Sequence, residues 1–329
     1  MAPQVKLHQI LDWDSPRQNA RLRLELASGL LQAQASIAPK FFYDALGSRL
    51  FEAITELPEY YPTRTEAAIF VEHLPAIRDA LGQDFTFIDL GCGSCIKAGR
   101  LFHAGVVPAR YVAVDISVDF LRDSLQHLQN ELPAIKMMGL GLDFTDELQL
   151  PDDLPTERRM FFYPGSSIGN FSPSAAGNFL RRLANGMDAS GGLLIGVDLI
   201  KDSAVLDAAY DDALGVTAAF NRNLLRHVNA RLDADFRISD WRHMAYYNAA
   251  DTRIEMHLEA SRALTVSWPE NGGVRQRPFS AGERIHTENS YKYSPEGFTA
   301  LLTSSGFTDV QVWTDPRHWF ALFFARRAG

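Results

Sequence analysis

Acidic and small residues stand together at the end of one apolar run in the first third of the chain. The segment FIDLGCGSCIK occupies residues 87–97, where Asp89 closes the run and Gly91 and Gly93 follow. Glycine leaves backbone N–H groups bare and places no Cβ in the way of a ligand. In a parallel sheet, ligands bind where a strand runs into such a loop and then into a helix. The segment therefore predicts a nucleoside-binding loop.

Two further acids close the apolar runs that come next. Asp115 ends YVAVD, where a carboxylate can accept hydrogen bonds from both hydroxyls of a ribose. Asp143 ends MMGLGLD, and with Phe144 beside it the pair suits an adenine amino group and ring face. A single acid at a strand end is usually a helix cap or a turn former. Acids on three consecutive runs together indicate a nucleoside site.

The loop departs from the dinucleotide-binding pattern at one position. That pattern requires a third glycine for close packing of helix on strand, and Ile96 stands there instead. Together with the acids on the next two runs, this favours S-adenosylmethionine over NAD as the cofactor. An NAD-dependent oxidoreductase stays open as an alternative, as does a regulator that binds the cofactor without turnover.

The two cysteines of the chain, Cys92 and Cys95, lie in the same loop with C-x-x-C spacing. A closed zinc site needs four ligands, and the nearest histidine in sequence, His103, belongs to no H-x(3–5)-H pair. A redox dithiol remains possible by spacing alone. We interpret the cysteines as small residues in a tight loop and expect no metal.

The elements that must position these residues follow from the pattern between Phe85 and Val197. Short apolar runs (TFIDL, YVAVD, MMGLGLD, MFFYPG and LLIGVD) alternate there with helical stretches such as SVDFLRDSLQHLQNEL and SAAGNFLRRLANGM. A parallel sheet covered on both faces requires continuous apolar strands separated by helices. The pattern predicts an α/β, doubly wound sheet, which the terminal runs DVQVWTD and WFALFFARR are expected to rejoin.

The segment before this domain is predicted to be mainly helical, over residues 18–80. A break is expected at Gly47 and Ser48, followed by an exposed loop, LPEYYPTR. Thr63 and Glu66 have the spacing of a capping box, which predicts the start of a helix after that loop.

The segment over residues 203–292 begins with one long helical stretch, AAYDDALGVTAAFNRNLLRHVNARL. It then changes to alternation in RIEMHLEA, which places Ile254, Met256 and Leu258 on one face of a strand. The ENGG turn at residues 270–273 predicts a hairpin. Because the chain has no repeats or long linkers, a second domain is expected to be inserted into the first.

Composition excludes several classes of partner. The 329 residues are 46% hydrophobic and 22% charged, with a formal net charge of -8. Nucleic acids and anionic membranes favour a basic surface, so we expect neither as a partner. The apolar stretch at residues 193–200 is too short to span a bilayer, and the first residues carry no apolar signal-peptide core. We expect a cytoplasmic, monomeric protein that acts on a small molecule.

Several long segments match a known family: FYDALGSRLFEAITELPEYYPTR, GSSIGNF, DLIKD, AYDD, GVTAAFNRN, RIEMHL and TENSYKY. Over residues 42–293 the chain resembles the histidine N-alpha-methyltransferases that make hercynine for ergothioneine biosynthesis. Fungal relatives that methylate prenylated tryptophan are the nearest competitors. The resemblance implies a Rossmann-like class I methyltransferase domain at residues 62–197 and 293–329. It also implies an inserted α+β substrate-binding domain at residues 8–61 and 198–292.

The resemblance also implies roles for individual residues. The implied cofactor contacts are Tyr43, Gly91, Lys97, Asp115, Asp143 and Phe144. The implied contacts to L-histidine are Tyr60, Gly165, Asn170, Tyr210, Phe220, Met256, Glu288 and Ser290. Among these, Tyr60 and Asn170 would hold the amino group and are the catalytic candidates. Asn170 and Tyr210 would hold the carboxylate, and Glu288 and Ser290 the imidazole.

Patterns alone allow simpler interpretations of the same residues. Asn170 is as well explained as a turn asparagine, Tyr60 as a packing aromatic, Met256 as core and Glu288 as a solvated acid. Given the resemblance, the joint presence of Met256, Glu288 and Ser290 favours histidine over a tryptophan-like substrate. An imidazole needs a polar partner, whereas an unpaired carboxylate would destabilise an indole pocket.

Overall fold

The computed structural model of the protein describes three stretches of the chain, which are residues 5–9, 15–145 and 148–329. Their contacts divide the chain into two compact units. The first unit consists of strand Lys6–Gln9, Pro62–Ile200 and Tyr291–Gly329. The second unit consists of the described part of Asp12–Tyr61 and of Lys201–Ser290.

The predicted domains differ from these units at their ends. The sequence analysis places residues 8–9, 198–200 and 291–292 in the substrate-binding part, and the contacts group them with the first unit. One isolated bridge ties residues 198–200 to the segment after β11. Leu199 pairs with Tyr293 in parallel, and Ile200 donates its N–H to the Tyr293 carbonyl at 3.1 Å.

The described residues form the following helices: α1 (Pro16–Leu30), α2 (Ala45–Thr55), α3 (Tyr61–Glu72), α4 (Leu74–Leu81), α5 (Ile96–His103), α6 (Val118–Glu131), α7 (Pro173–Asn185), α8 (Ser203–Tyr210), α9 (Val216–Leu232) and α10 (Pro295–Ser304). They also form these strands: β1 (Lys6–Gln9), β2 (Thr86–Leu90), β3 (Arg110–Asp115), β4 (Lys136–Gly141), β5 (Arg159–Tyr163), β6 (Gly192–Asp198), β7 (Trp241–Asn248), β8 (Arg253–Ala260), β9 (Leu264–Glu270), β10 (Gly273–Phe279), β11 (Arg284–Tyr291), β12 (Phe307–Thr314) and β13 (Phe320–Arg327).

The first unit is built on one sheet with the strand order β1-β4-β3-β2-β5-β6-β13-β12. Strands β1 to β6 pair in parallel, and β13 and β12 pair antiparallel at the end of the sheet. The predicted doubly wound, mostly parallel sheet is confirmed. The two terminal runs rejoin it as expected.

Each face of this sheet carries its own apolar core. Phe87 and Phe162 pack on one face with residues from α3, α4, α5 and α6. Their chain neighbours Ile88 and Phe161 pack on the other face with residues from α7 and α10. Because successive side chains of a strand point to opposite faces, a strand buried on both faces must be apolar throughout. This explains the continuous runs in the sequence.

Strand β1 was not anticipated by the sequence analysis. It pairs in parallel with β4, with Lys6 opposite Met138 and Leu7 opposite Gly139. The absence of a side chain at Gly139 makes room, because a Cβ there would lie 2.7 Å from Cδ1 of Leu7. Four residues of mixed polarity give no usable periodicity, so pattern analysis does not find this strand.

The second unit contains a three-stranded sheet, β11-β8-β7, in which β7 and β8 pair antiparallel, and the hairpin β9-β10. Helices α8 and α9 pack against β7 and β8. The hairpin predicted at ENGG is confirmed: Glu270 pairs with Gly273, and Asn271 and Gly272 between them both have positive φ, as a tight hairpin turn requires.

Several local predictions around the helices were wrong. Gly47 and Ser48 do not break a helix but lie in the first turn of α2, which Asp44 caps by accepting from the Gly47 N–H at 2.7 Å. The capping box is absent, because α3 already begins at Tyr61 and Glu66 binds elsewhere. The loop before α3 is not exposed, since its tyrosines are buried.

The long helical stretch of the second unit is interrupted. It forms two helices, α8 and α9, and Gly215 with φ of 74° precedes the second. Asp212 caps α9 by accepting from the N–H groups of Val216 and Thr217, at 3.0 and 2.7 Å. Among the described helices, none is both long enough and apolar enough to cross a membrane.

Candidate active site

The loop between β2 and α5 has the backbone conformation that glycine permits. Gly91 and Gly93 have φ of 71° and 52°, in the left-handed region that side chains disfavour. The N–H groups of Gly91 and Cys92 both donate to the carbonyl of Val114 on β3, at 2.8 and 3.2 Å. The predicted loop is thereby tied to the neighbouring strand at the carboxyl edge of the parallel sheet.

Asp115 connects this loop to the end of β3. Its Oδ2 accepts from the Gly93 N–H at 2.9 Å, and its Oδ1 accepts from the Ser117 N–H at 2.9 Å. Burial raises the pKa of the carboxyl, while these N–H groups oppose the shift. A carboxylate has about four acceptor directions, so Asp115 can still accept the hydroxyls of a ribose.

Asp143 and Phe144 follow the end of β4. Asp143 Oδ1 accepts from the backbone N–H of Thr145 at 3.1 Å and from its hydroxyl. The half-buried ring of Phe144 lies so near the glycine loop that a Cβ on Gly91 would be 3.7 Å from its Cζ. The structure thus brings Phe144, one of the two predicted adenine residues, against the glycine loop.

Asp89, directly ahead of the loop, is an acid that the sequence analysis placed in the motif but gave no role. The hydroxyl of Tyr111 donates to Oδ2 at 2.8 Å, and Oδ1 has no partner among the described residues. Burial raises the pKa of Asp89 to about 7. Buried acceptors normally have a donor, and ligands bind at this edge of the sheet. A bound ligand or a proton on the carboxyl group itself would satisfy Oδ1.

Lys97 on α5 contacts a residue that the sequence analysis missed. Its Nζ lies 2.5 Å from Oε2 of Glu66 on α3, whose side chain is 1% exposed. Oε1 of Glu66 accepts from the Gly165 N–H at 2.7 Å. The missed signal is the position of Glu66 in its helix: it shares a face with Ile69 and Phe70, three and four residues on, so an acid interrupts an apolar stripe.

The end of β5 leads into a short turn that carries two predicted substrate contacts. Gly165 has φ of 77°, and Asn170 ends the 3₁₀ turn Ser167–Asn170 with its side chain partly exposed. Ser166 fixes the start of the turn, because its Oγ accepts from the N–H of Asp198 on β6 at 2.8 Å.

In the second unit, aromatic rings from five segments form a cluster, defined here as Phe42, Tyr43, Phe51, Tyr60, Tyr210 and Phe220. Phe42 stacks on Phe220 with ring centroids 4.5 Å apart. Tyr43 and Phe51 contact Phe220 at 5.9 and 6.0 Å. Tyr60 contacts Phe51 and Tyr210 edge-on, at 6.2 and 6.3 Å. The structure therefore brings four predicted site residues, Tyr43, Tyr60, Tyr210 and Phe220, into one cluster.

Polar residues of β11 lie beside this cluster. The hydroxyl of Tyr210 donates to Oγ of Ser290 at 2.8 Å. Glu288 is 8% exposed, so its interpretation as a solvated surface acid is wrong. Met256 on β8 is buried, as both the core interpretation and a pocket wall require.

Comparison with known proteins decides the class of enzyme. Residues 22–327 match the family model described as "Histidine-specific methyltransferase, SAM-dependent". The chain belongs to this family. The predicted family is thus confirmed, and so is S-adenosylmethionine as the cofactor. The NAD-dependent oxidoreductase is excluded.

Curated relatives of this methyltransferase agree with the family. It is 40% identical to "Histidine N-alpha-methyltransferase" of Mycolicibacterium smegmatis, over 93% of this chain and 95% of the relative. It is 38% identical to the protein of the same name from Mycobacterium tuberculosis, again over 93% and 95%. It is 31% identical to "Ergothioneine biosynthesis protein 1" of Neurospora crassa, over 83% of this chain and 31% of that longer protein.

The cysteines of the methyltransferase are free thiols. Cys95 is buried, and burial raises the pKa of the Cys92 thiol well above its usual range, which disfavours the reactive thiolate. Among the described residues, no group of three or more histidine, cysteine or acidic side chains is arranged to hold a metal.

The second face of β8 departs from the predicted alternation of buried and exposed residues. Its polar side chains Glu255, His257 and Glu259 are buried as well. Glu255 accepts from Tyr246 at 2.9 Å and contacts Nε2 of His257 at 3.1 Å. Although burial opposes it, hydrogen bonds from neighbouring side chains lower the pKa of Glu255 to about 2. Charged groups can thus be buried here because they are paired.

Proposed function

We propose that this methyltransferase transfers methyl groups from S-adenosylmethionine to the α-amino group of L-histidine, three in succession, to give hercynine, a step toward ergothioneine. The observation that carries the proposal is the 40% identity, over 93% of the chain, to a histidine N-alpha-methyltransferase. The residues that the family resemblance assigns to cofactor and substrate are all present in the chain.

The proposed cofactor contacts of the first unit lie along the carboxyl edge of its sheet. Asp143 and Phe144 hold the adenine, Asp115 the ribose, and Gly91 leaves room for the backbone to approach. Lys97 offers a cation to the carboxylate of the amino-acid end. In the second unit, Tyr43 of the aromatic cluster is the remaining proposed contact.

The proposed substrate contacts divide by chemistry. Tyr60 and Asn170, with Gly165 nearby, hold the amino group of histidine, and Asn170 and Tyr210 hold its carboxylate. Glu288 and Ser290 hold the imidazole. Phe220 and Met256 are the apolar walls. Tyr210 and Ser290 share a hydrogen bond, which supports their assignment to one binding site.

S-adenosylmethionine supplies a methyl group on a sulfonium, whose leaving group is already activated. The side chains therefore have mainly to position a neutral amine at about 3 Å from the methyl carbon and to exclude water. Tyr60 and Asn170 orient the lone pair of the amine. The pocket must also accommodate an amino group that grows with each transfer.

The second candidate is methylation of another aromatic amino acid, of the tryptophan type. Against it stand the buried carboxylate of Glu288 and the buried hydroxyl of Ser290. A neutral imidazole offers one N–H donor and one nitrogen acceptor, which a carboxylate and a hydroxyl can both bind, whereas an indole offers one N–H donor and no nitrogen acceptor. These two residues therefore support histidine.

The proposed function is tested by incubating the purified protein with S-adenosylmethionine and each free amino acid in turn. Mass spectrometry should show one, two and then three added methyl groups on histidine alone. Trimethylation of tryptophan and not of histidine would refute the proposal. We further propose a monomer in the cytoplasm, and light scattering after size exclusion tests the monomer.

A further inference from the structure

Glu66 is an almost completely buried acid that binds two segments of the candidate cofactor edge. From α3 it reaches Lys97 on α5, with Oε2 at 2.5 Å from Nζ, and Gly165 after β5, with Oε1 at 2.7 Å from the N–H. The family resemblance assigns no role to Glu66. Both residues that it binds are proposed site residues.

The glycines around Glu66 keep space for it. A Cβ on Gly196 of β6 would overlap Oε1 of Glu66, and a Cβ on Gly165 would lie 2.8 Å from Nζ of Lys97. Two segments thus lack a side chain where the ion pair sits. The arrangement is built around the carboxylate and the ammonium together.

The strand order, taken with the proposed cofactor contacts, indicates which part of the cofactor would meet this ion pair. Asp143 follows β4 and Asp115 ends β3, while the glycine loop follows β2 and Gly165 follows β5. These strands are neighbours in the order β4-β3-β2-β5. Three strand spacings cover about 14 Å, roughly the length of an extended nucleoside with an amino-acid tail. With adenine at β4 and ribose at β3, the amino-acid end lies at β5.

We propose that Glu66 is a positioning residue for the amino-acid end of S-adenosylmethionine and acts through Lys97. The inference rests on the proposed cofactor contacts. A lysine side chain has many rotamers, and its ammonium is a point charge on a flexible stem. The buried carboxylate selects one position for Nζ, so Lys97 is ordered before the cofactor carboxylate arrives, and less entropy is lost on binding.

The test compares two ligands that differ only at that end. S-adenosylhomocysteine carries the amino-acid part, and 5′-methylthioadenosine lacks it. For Glu66→Gln, calorimetry should show at least a tenfold loss of S-adenosylhomocysteine affinity, with 5′-methylthioadenosine changed less than twofold. Glutamine can still accept from the Gly165 N–H, so the variant removes mainly the hold on Lys97. Glu72→Gln, exposed on the same helix, should change neither affinity.

A purely structural residue would weaken both ligands alike, and that result would overturn the proposal. Comparison of Lys97→Met with the double variant Lys97→Met/Glu66→Gln decides the case even if Glu66→Gln alone does not fold. Lys97→Met leaves a buried carboxylate without its partner, so adding Glu66→Gln should raise the melting temperature without a further loss of S-adenosylhomocysteine affinity. An additional loss of fivefold or more would show that Glu66 does not act through Lys97.

Neither measurement requires histidine. A protein that passes both but does not methylate histidine would contradict the proposed function and leave the role of Glu66 standing.

Discussion

The acids at or just after the ends of β3 and β4 in the first unit and the polar side chains of the second unit are held in different ways. Asp115 and Asp143 accept from backbone N–H groups 22 and 2 residues away in the chain. In the second unit, Tyr210 binds the side chain of Ser290, 80 residues away. An acid that binds a nearby loop belongs to a local motif, whereas a pair of distant side chains exists only in the finished fold. A sequence motif therefore specifies contacts of the first kind, and tertiary packing specifies contacts of the second kind.

The two regions should respond to pH with opposite signs, and this is the largest expected effect. The pKa of Asp89 is raised from 3.8 to about 7, so the folded state holds this proton more tightly than the unfolded state. Its contribution to stability falls as pH rises through that window. The pKa of Glu255 is lowered from 4.5 to about 2, so its contribution is complete above 4.5 and is lost as pH falls toward 2.

Urea unfolding between pH 3 and pH 8 tests this contrast. Relative to the parent protein, Asp89→Asn should gain about 3 kcal/mol as pH rises from 4 to 8. Because solvent screens part of its interactions, Glu255→Gln should be destabilised by a smaller amount, about 1–2 kcal/mol, at pH 7 and should approach the parent as pH falls to 3. If both variants ran parallel to the parent at every pH, the two environments would not differ as described.

Removing the carboxylate of Asp115 should weaken the cofactor edge as a whole. Asp115→Ala leaves the N–H groups of Gly93 and Ser117 without their acceptor and removes the proposed ribose contact. Hydrogen bonds to charged groups contribute about 1.5–3 kcal/mol, so S-adenosylhomocysteine affinity should fall about 100-fold by calorimetry. Asp119→Ala, an exposed acid four residues on, is the matched control and should bind normally. An affinity within threefold of the parent would remove Asp115 from the site.

On the side of the second unit, Glu288→Ala should weaken histidine and spare the cofactor. The loss of one charge-assisted hydrogen bond predicts a KM for histidine about 30-fold higher, with S-adenosylhomocysteine affinity unchanged. Steady-state kinetics and calorimetry measure the two quantities. Glu56→Ala, an exposed acid of the same unit, serves as the control. Equal loss of both ligands would mean that Glu288 is structural.

The smallest effect is expected for Tyr210→Phe, which removes a single hydroxyl. Its hydrogen bond to Ser290 should be worth about 1 kcal/mol of unfolding free energy. Ser290→Ala and the double variant complete the cycle. The double variant should be less destabilised than the sum of the two single changes, because both act on one bond. Strict additivity in urea unfolding would show that the pair does not interact.

The sheet of the first unit could be predicted from the sequence because burial on both faces forces continuous apolar runs. Where short-range signals compete, prediction failed. Glu66 has the spacing of a capping box with Thr63, but the helix starts at Tyr61 and tertiary contacts use the acid instead. Strand β1 is too short to carry a period at all.

The candidate site divides in the same way. The glycine loop, Asp115 and Asp143 follow from strand ends and turn chemistry, which are local. Glu288 gives no local sign of burial, since a lone acid in a polar segment reads as surface. It lies on β11 with Ser290, and the hydrogen bond of Ser290 to Tyr210 on α8 joins segments that are far apart in the chain. Only the family resemblance indicated those residues in advance.

Strand β1 has a consequence for how the protein can be handled. It covers β4, whose backbone would otherwise be the open edge of the sheet. Open edges offer unpaired N–H and carbonyl groups to other chains. Cleavage after Gln9 would therefore remove β1 and expose the backbone of β4. This strand ends two residues before Asp143, the acid proposed to bind the adenine. Protein cleaved at this position should both aggregate and lose affinity for the cofactor. An affinity tag is therefore better placed after Gly329 than before β1.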